Sequence, residues 1–292
     1  MEKAKVYFTK NISKESLVRI YEKLGVELKG NVAVKLHSGE DGNQNYLRPE
    51  FVQDIIEHVG GTVVECNTAY EGARNTTEKH EKLMESHGWS KYFKVDILDS
   101  EADEVLENPN GAVIQKNYVG AKMKNYDSML VLSHFKGHPM GGFGGAIKNL
   151  SIGLASSKGK SYIHTSGMEE ASFDDLMNAD HDSFLKSMAD SAKTITDFYK
   201  DNIVYINAMV NLSVDCDCCG VAADPCMADI GILASLDPVA IDQACIDLVY
   251  NSTDEGRDTM VERIESRNGL LTIESAEKQG VGIRSYELVE ID

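Results

Sequence analysis

The sequence predicts an α/β protein whose sheet is largely parallel and carries helices on both faces. Short apolar runs alternate along the chain with segments in which apolar residues recur at helical spacing. Several of these runs are continuously apolar, as in strands that are buried on both faces. No linker, repeat or low-complexity tract divides residues 1–292. We therefore expect a single α/β unit, built either as one body or as two lobes around a central cleft.

The first third of the chain predicts strands and helices in alternation. Strands are expected at residues 5–8, 32–36, 62–66 and 93–98. Helical patterns follow the first three strands, with Ser13 placed to cap the first helix and Pro49 to begin the second. The third helix is expected over residues 75–87. This alternation is typical of a parallel sheet.

The remainder of the chain continues the pattern around a buried central strand at 129–132. The acidic run 99–111 predicts a solvated connection, and the polar stretch 156–167 predicts a mobile loop. Further elements are a long helix at 181–200, strands at 204–210 and 230–233, a helix beginning at Pro238, and a short helix, turn and strand at the C-terminus.

Composition and charge restrict the partners. The chain has 47 acidic and 29 basic residues, a formal net charge of −18. Nucleic acid and anionic membrane surfaces would be repelled, whereas a small anionic ligand can bind where cations gather locally. No window of about 18 apolar residues predicts a membrane span. Because the N-terminal segment lacks the apolar core of a signal peptide, a cytoplasmic location is expected; the oligomeric state is not predicted.

The main candidate site is the segment 129–154, which predicts a strand, a glycine-rich loop and a helix. Glycines let backbone amides approach a ligand closely, and the N-terminus of the following helix attracts an anion. Two kinds of role are expected: proton transfer by His134 and His138, and anion binding by Lys136, Lys148, Gly144 and Gly145. The alternative is a tight connection that carries solvated cations.

Three further residues are candidates because of their positions. His37 follows the second predicted strand, and Arg74 follows the third. Ligands bind at the carboxyl ends of parallel strands, so both could converge with His134 on one crevice, His37 as a catalytic residue and Arg74 as an anion-binding one. His164 lies with two lysines in the polar stretch 156–167. These three cations could fold over a bound anion or could simply be exposed.

Four of the six cysteines cluster between residues 216 and 226. In a reducing compartment such a cluster is more often a metal or redox site than a disulfide framework. In an extended segment Cys216 and Cys218 face the same side and Cys219 faces the other. Thiolates and an adjacent carboxylate can bind a metal, so Cys216, Cys218 and Asp215 are candidate ligands for a divalent metal. The alternative is a buried loop whose thiols pack as small apolar groups.

Three segments resemble the family catalogued as domain of unknown function 362. They read KLHSGEDGNQNYLRPEFV, SHFKGHPMGGFGGAIKNLSIG and DCDC…DIGILASLDPVAIDQA. Many members are described as iron–sulphur centre proteins, because a ferredoxin-like segment with two cysteine runs follows their glycine loop. This chain has no cysteine between Lys160 and Val204. The resemblance therefore implies neither a ferredoxin-like segment nor a four-iron cluster here.

The run HPMGGFGGAIK, from His138 to Lys148, is similar to the element H-x-x-x-G-F-S-G-G-x-K of nickel-pincer lactate racemases. In that family the His acts in acid/base chemistry on a 2-hydroxy acid, and the Lys holds the pincer cofactor. Gly144 stands here in place of the Ser. The similarity implies a shared scaffold in which His138 and Lys148 are the matching residues.

Three functions are compatible with these features. The first is an enzyme, an isomerase or an oxidoreductase-associated one, that acts on a small carboxylate or phosphate at the Gly/His/Lys loop. The second is a metal- or iron–sulphur-associated redox protein centred on the Asp/Cys cluster at 215–219, with a redox partner protein. The third is a ligand-binding scaffold without chemistry. The missing ferredoxin-like segment favours the enzyme.

Overall fold

Strands and helices alternate along most of the computed structural model, which describes residues 3–292 and their side chains except those of Phe173 and Met177. The strands are β1 (Ala4–Thr9), β2 (Val32–Lys35), β3 (Thr62–Glu65), β4 (Val95–Ile97), β5 (Asp103–Glu107), β6 (Lys116–Gly120), β7 (Ser128–His134), β8 (Lys136–His138), β9 (Gly142–Gly144), β10 (Ile203–Met209), β11 (Gly231–Ser235) and β12 (Tyr286–Glu290). The helices are α1 (Lys14–Lys23), α2 (Pro49–His58), α3 (Thr77–Ser86), α4 (Trp89–Tyr92), α5 (Ala146–Leu154), α6 (Ser157–His164), α7 (Phe173–Asn178), α8 (His181–Tyr199), α9 (Pro238–Tyr250), α10 (Arg257–Ser266) and α11 (Leu270–Lys278), with a short 3-10 helix at Ala121–Asn125.

Eight of the strands form one sheet, in the order β12-β1-β11-β10-β7-β2-β3-β4. The run from β10 to β4 is parallel throughout. Strand β11 is antiparallel to both of its neighbours, and β12 pairs in parallel with β1. The predicted α/β class with a largely parallel sheet is therefore confirmed, and strands from both ends of the chain share that sheet.

Alternate side chains of β7 point into two separate hydrophobic layers. Leu130 and Leu132 pack on the face covered by α1 and α2, while Met129 and Val131 pack on the face covered by α5, α8 and α9. All seven residues of β7 are buried. This two-residue period is expected of a strand covered on both faces, and it confirms the predicted helices on both sides of the sheet.

Several segments differ from the sequence prediction, and three of them illustrate the reason. The acidic run 99–111 contains β5, which forms an antiparallel hairpin with β6; because β5 is mostly exposed, it carries no apolar pattern. The stretch 156–167 forms α6, which begins where the Ser156 hydroxyl accepts a hydrogen bond from the Gly159 amide. Helix α10 was not predicted because it buries only Met260 and Ile264. Two buried apolar residues are too few to show helical periodicity in the sequence. None of the described helices has the length and apolar character that crossing a membrane requires.

The glycine loop after β7 contains the β8–β9 hairpin, which leads into α5. The connection from β10 to β11 carries the cysteine cluster and lies against this hairpin, since the Gly137 amide donates to the Ser213 carbonyl at 2.7 Å. A Cβ at Gly137 would collide with the Val214 backbone. Glycine is thus needed here because two backbones approach closely, and this contact brings the cysteines to the loop.

Candidate functional site

A cavity of about 250 Å³ lies at the carboxyl ends of β2, β3 and β7. Its walls come from these strand ends, from the β8–β9 hairpin with α5, from α6, and from the β10–β11 connection. Among the predicted site residues, those that line it are His37, Arg74, His134, Lys136, His138, Gly144, Gly145, Lys148, His164, Cys216 and Cys218. Residues from widely separated parts of the chain therefore meet in one space, as expected for the carboxyl ends of parallel strands.

Asp215 is the predicted site residue that lies outside the cavity lining. Its carboxylate is 3.3 Å from Nη1 of Arg263 and accepts a hydrogen bond from the Ala223 amide at 3.0 Å. The third side chain beside Cys216 and Cys218 is instead His138. The ion pair with Arg263 directs the Asp215 carboxylate away from the group that His138, Cys216 and Cys218 form.

His134 uses both ring nitrogens as hydrogen-bond donors. Its Nδ1 lies 2.8 Å from Asp217, and its Nε2 lies 2.6 Å from the Val210 carbonyl oxygen. Both partners are acceptors, so both ring nitrogens are engaged within the protein and neither is free to exchange a proton with a substrate. Lys136 Nζ also donates to Asp217, at 2.8 Å. Burial alone would raise the pKa of Asp217, but the charges of His134 and Lys136 hold it well below its usual range.

The hydrogen bonds of His138 and His37 fix the tautomer that carries its proton on Nε2. Nδ1 of His138 accepts from the amides of Met140 and Gly141 at 3.1 and 2.8 Å, and Nδ1 of His37 accepts from the Gly39 amide at 3.0 Å. A nitrogen that accepts from an amide carries no proton, so each neutral ring is protonated at Nε2. Burial lowers the pKa of His138 to about 4 and that of His37 to about 3, which keeps both rings neutral near pH 7.

His164 has the opposite arrangement and presents an unprotonated nitrogen. Its Nδ1 donates to the Lys160 carbonyl at 2.7 Å, and its ring stacks on Phe184 with 4.7 Å between the centroids. Burial lowers its pKa to about 4, so the ring is neutral near pH 7 and has a lone pair on Nε2. No residue in the described part of the chain hydrogen-bonds to that Nε2. His164 is therefore the best placed of the four cavity imidazoles to accept a proton.

Two of the predicted anion-binding cations differ in how far their charge is already balanced. Nε of Arg74 lies 3.1 Å from Glu40, and its Nη1 lies 3.9 Å from Glu65. Lys148, in the first turn of α5, forms no hydrogen bond or ion pair through its ammonium group within residues 3–292. An unpaired ammonium beside a cavity favours an anion there. Lys148 is thus the cation available to a ligand, whereas Arg74 is engaged by carboxylates.

Lys35 and Glu65 belong to the cavity wall but were missed by the sequence analysis. They are the last residues of β2 and β3, and their side chains lie 3.7 Å apart, almost fully buried. Burial lowers the pKa of Lys35 to about 8. The sequence signal was present: Lys35 and Glu65 each directly follow a short apolar run, at the sheet edge where ligands bind.

The N-terminus of α5 is occupied by a side chain of the protein. The amides of Ala146 and Ile147 donate to the Asp242 carboxylate at 2.7 and 2.9 Å, and Asn207 donates to it at 2.8 Å. A Cβ at Gly145 would collide with this carboxylate, which explains the glycine. Asp242 already occupies these two helix amides, which are therefore not free to hold a ligand's oxygens.

The thiols of Cys216 and Cys218 meet the His138 ring at one side of the cavity. The nearest ligand atoms of the three residues lie within 4.8 Å of one another, so the group could bind a metal. Sγ of Cys218 is 3.9 Å from Nε2 of His138. A turn closed by the Cys219 amide and the Cys216 carbonyl, 2.9 Å apart, folds the segment. A hydrogen bond from Cys218 lowers the pKa of Cys216, and the same bond raises the pKa of Cys218.

Comparison with known proteins gives one family and several distant folds. The family model described as domain of unknown function (DUF362) matches residues 32–247, which include every candidate site residue. No curated protein matches. The lactate racemase apoprotein from Thermoanaerobacterium thermosaccharolyticum is 16% identical with a TM-score of 0.41, over 69% of this chain and 50% of that one. A protein from Thermotoga maritima is 12% identical with a TM-score of 0.46, over 91% and 58%. The chain thus spans half the length of the first structure and 58% of the length of the second.

Proposed function

The chain belongs to the DUF362 family of domains of unknown function, and we propose that it is an enzyme acting on a small carboxylate or phosphate in the cavity. One observation carries the proposal: Lys148, an ammonium without an ion-pair partner among the described residues, shares a cavity of about 250 Å³ with His164, whose Nε2 is unprotonated. An anionic substrate there would meet a cation that holds it and a base that can take a proton from it.

The charge of the cavity wall supports an anionic ligand. Five basic side chains line it in a protein whose net charge is −18, namely Lys35, Arg74, Lys136, Lys148 and Lys160. Glu65 is the one carboxylate among the described lining residues. Arg74 and Lys136 form ion pairs with Glu40 and Asp217, which do not line the cavity. Lys148 has no such pair in the part of the chain that the structure describes, so a bound anion would be its partner.

The base would be His164, and binding of the anion would activate it. A pKa of about 4 makes its imidazole a weak base while the cavity holds no anion. Lys148 and His138 contribute to that low pKa, after burial itself. A bound anion would offset the charge of Lys148 and stabilise the imidazolium, so that the pKa of His164 would rise toward neutrality. Proton transfer would then be coupled to substrate binding.

Proton exchange tests this function. The protein would be incubated in D2O with 2-hydroxy and 2-oxo carboxylates. Exchange would be followed by NMR at the C2 proton of the hydroxy acids and at the C3 protons of the oxo acids, and phosphate monoesters would be assayed for hydrolysis. His164→Asn keeps a donor for the Lys160 carbonyl but removes the base, and His58→Asn at the exposed end of α2 is the control. We expect the His164 variant to lose roughly 100-fold or more in rate. Unchanged turnover in that variant would refute the assignment.

A metal or redox function is the second candidate, because the atoms of His138, Cys216 and Cys218 lie within 4.8 Å. A redox partner protein would then act at the cysteine cluster. Metal analysis of freshly purified protein tests this candidate. Stoichiometric metal that is lost in Cys216→Ser would support it, and metal-free protein would leave the anion site as the basis of the function.

A further inference from the structure

We infer that Cys216 and Cys218 form a reversible disulfide, so that the cavity contains a two-electron dithiol redox site. The two thiols lie on the cavity wall and are close to each other and to His138. This inference is independent of the identity of the anionic substrate, because it concerns the cysteine side chains themselves. It requires that the backbone, the neighbouring imidazole and solvent access all suit a disulfide rather than a metal.

The backbone between the two cysteines is folded rather than extended. The Cys219 amide donates to the Cys216 carbonyl at 2.9 Å, so residues 216–219 form a turn. Cys216 and Cys218 are the first and third residues of this turn, whose first and fourth Cα atoms lie within about 7 Å. Disulfides join Cα atoms roughly 4.4–6.8 Å apart, a separation that this fold of the backbone allows for the two cysteines. Since the two sulfur atoms already lie within 4.8 Å, rotation about side-chain bonds can bring them into bonding distance.

The tautomer of His138 disfavours metal ligation. A histidine binds a metal through a nitrogen lone pair, while its other nitrogen usually donates a proton to an acceptor. Nδ1 of His138 instead accepts from the Met140 and Gly141 amides, so Nε2 carries the proton and faces Cys218 at 3.9 Å. As it stands, this ring is a hydrogen-bond donor to sulfur. Two thiols remain without a third ligand from the ring, and their C-x-C-C spacing matches no common zinc motif.

Exposure sets the order of a thiol–disulfide exchange. Cys218 is partly exposed and Cys216 is buried. With a low-molecular-weight disulfide as oxidant, the accessible Cys218 sulfur reacts as its thiolate, although the hydrogen bond to Cys216 raises its pKa. It attacks one sulfur of the oxidant, forms a mixed disulfide and releases one thiol. The Cys216 sulfur then attacks the Cys218 sulfur and releases the second thiol. Two cysteine thiols are oxidised, one disulfide is reduced, and the two thiol protons pass to the departing sulfurs.

Thiol counting under defined redox conditions tests the inference. The full chain, pretreated with a chelator, would be equilibrated in buffers of reduced and oxidised dithiothreitol, alkylated and analysed by intact mass and fragmentation. We expect two thiols to disappear together, with a link between residues 216 and 218 that excess reduced dithiothreitol reverses. Cys216→Ser and Cys218→Ser should each abolish the transition, whereas Cys219→Ser and the buried control Cys245→Ser should retain it.

Three results would overturn the inference. The first is wild-type protein that keeps all six thiols at every buffer ratio. The second is a transition that survives in Cys218→Ser or disappears in Cys219→Ser, which would place the disulfide elsewhere. The third is a stoichiometric metal that resists the chelator and protects Cys216 and Cys218 from alkylation. Because fragmentation of the wild-type protein locates the link directly, the test does not depend on any variant folding.

Discussion

Replacing Lys148 with methionine should weaken anion binding without unfolding the protein. Methionine keeps an unbranched apolar stem and removes only the ammonium group. Lys148 forms no hydrogen bond or ion pair through its ammonium in residues 3–292, so its removal strands no carboxylate. The stability of the variant should therefore remain within about 0.5 kcal/mol of wild type. Replacing a lysine that forms a structural ion pair would lower stability by more, since its loss would leave a carboxylate unpaired.

The expected loss of affinity follows from the kind of contact. A charge-assisted hydrogen bond to an anion contributes about 1–3 kcal/mol, and each 1.4 kcal/mol is tenfold in affinity. Lys148→Met should thus bind an anion roughly 5- to 150-fold more weakly. Lys148 is only partly buried, so salt will screen part of this difference, and the titrations belong at low ionic strength.

Calorimetric titration with inorganic phosphate and with small 2-hydroxy acids measures the effect. Lys158→Met is the matched control, because Lys158 pairs with Glu169 at 3.4 Å, lies over the Tyr118 ring at 3.9 Å, and is absent from the cavity lining. The control should bind as wild type does. Equal affinities for wild type and Lys148→Met would refute the reasoning, and so would a Lys148 variant that unfolds in urea at a much lower concentration than wild type.

Two further predictions concern stability in urea. Asp217→Asn should cost about 3–5 kcal/mol near pH 7, because it leaves Lys136 and His134 buried without a carboxylate. The folded pKa of Asp217 is depressed, so the stability that its carboxylate contributes is complete above the unfolded pKa and is lost at lower pH. The difference in free energy of unfolding between wild type and the variant should therefore stay constant above roughly pH 5 and shrink as the pH falls below about 4. A difference that does not change with pH would contradict the ion-pair account. Asp242→Asn should cost about 1–3 kcal/mol, because an amide NH2 would face one of the α5 amides, whereas exposed Asp258→Asn should cost almost nothing.

The convergence of the candidate residues could be predicted because it depends on topology. Alternating strands and helices imply a parallel sheet, and the ends of its strands lie side by side. His37 after β2 and His134 at the end of β7 were placed by that rule alone. Cys216 and Cys218 follow β10, which is the parallel neighbour of β7, so the same rule brings them to this edge.

The hydrogen-bonding state of the candidates could not be predicted in this way. Asp242 caps α5 from a helix that lies about a hundred residues further along the chain, and no local pattern reveals that contact. The tautomers of His138 and His164 depend on which backbone groups surround each ring. These partners decide which nitrogen is protonated, and therefore which histidine can act as a base. The sequence supplied the residue types but not their protonation states.

The secondary structure of segments with few buried apolar residues could not be predicted from the sequence pattern either. Strand β5 is mostly exposed, so its side chains show no alternation of apolar and polar residues. Helix α6 is short and polar, and it is stabilised by the cap at Ser156 and by burial of Lys160 against the cavity. From the sequence alone, a lysine such as Lys160 is expected to face solvent, even where it lies on the buried side of a helix. Tertiary contacts therefore decided the structure of both segments.

Locating an anion in the cavity tests the central claim most directly. Crystals of the protein would be soaked in selenate, and anomalous scattering at the selenium edge would locate it in wild type and in Lys148→Met. We predict a selenate in the cavity within hydrogen-bond distance of Lys148 Nζ, on the side that His164 also lines, and its loss in the variant. Selenate that binds only at surface lysines, or a cavity that stays without selenate at saturating concentration in wild type, would contradict the claim.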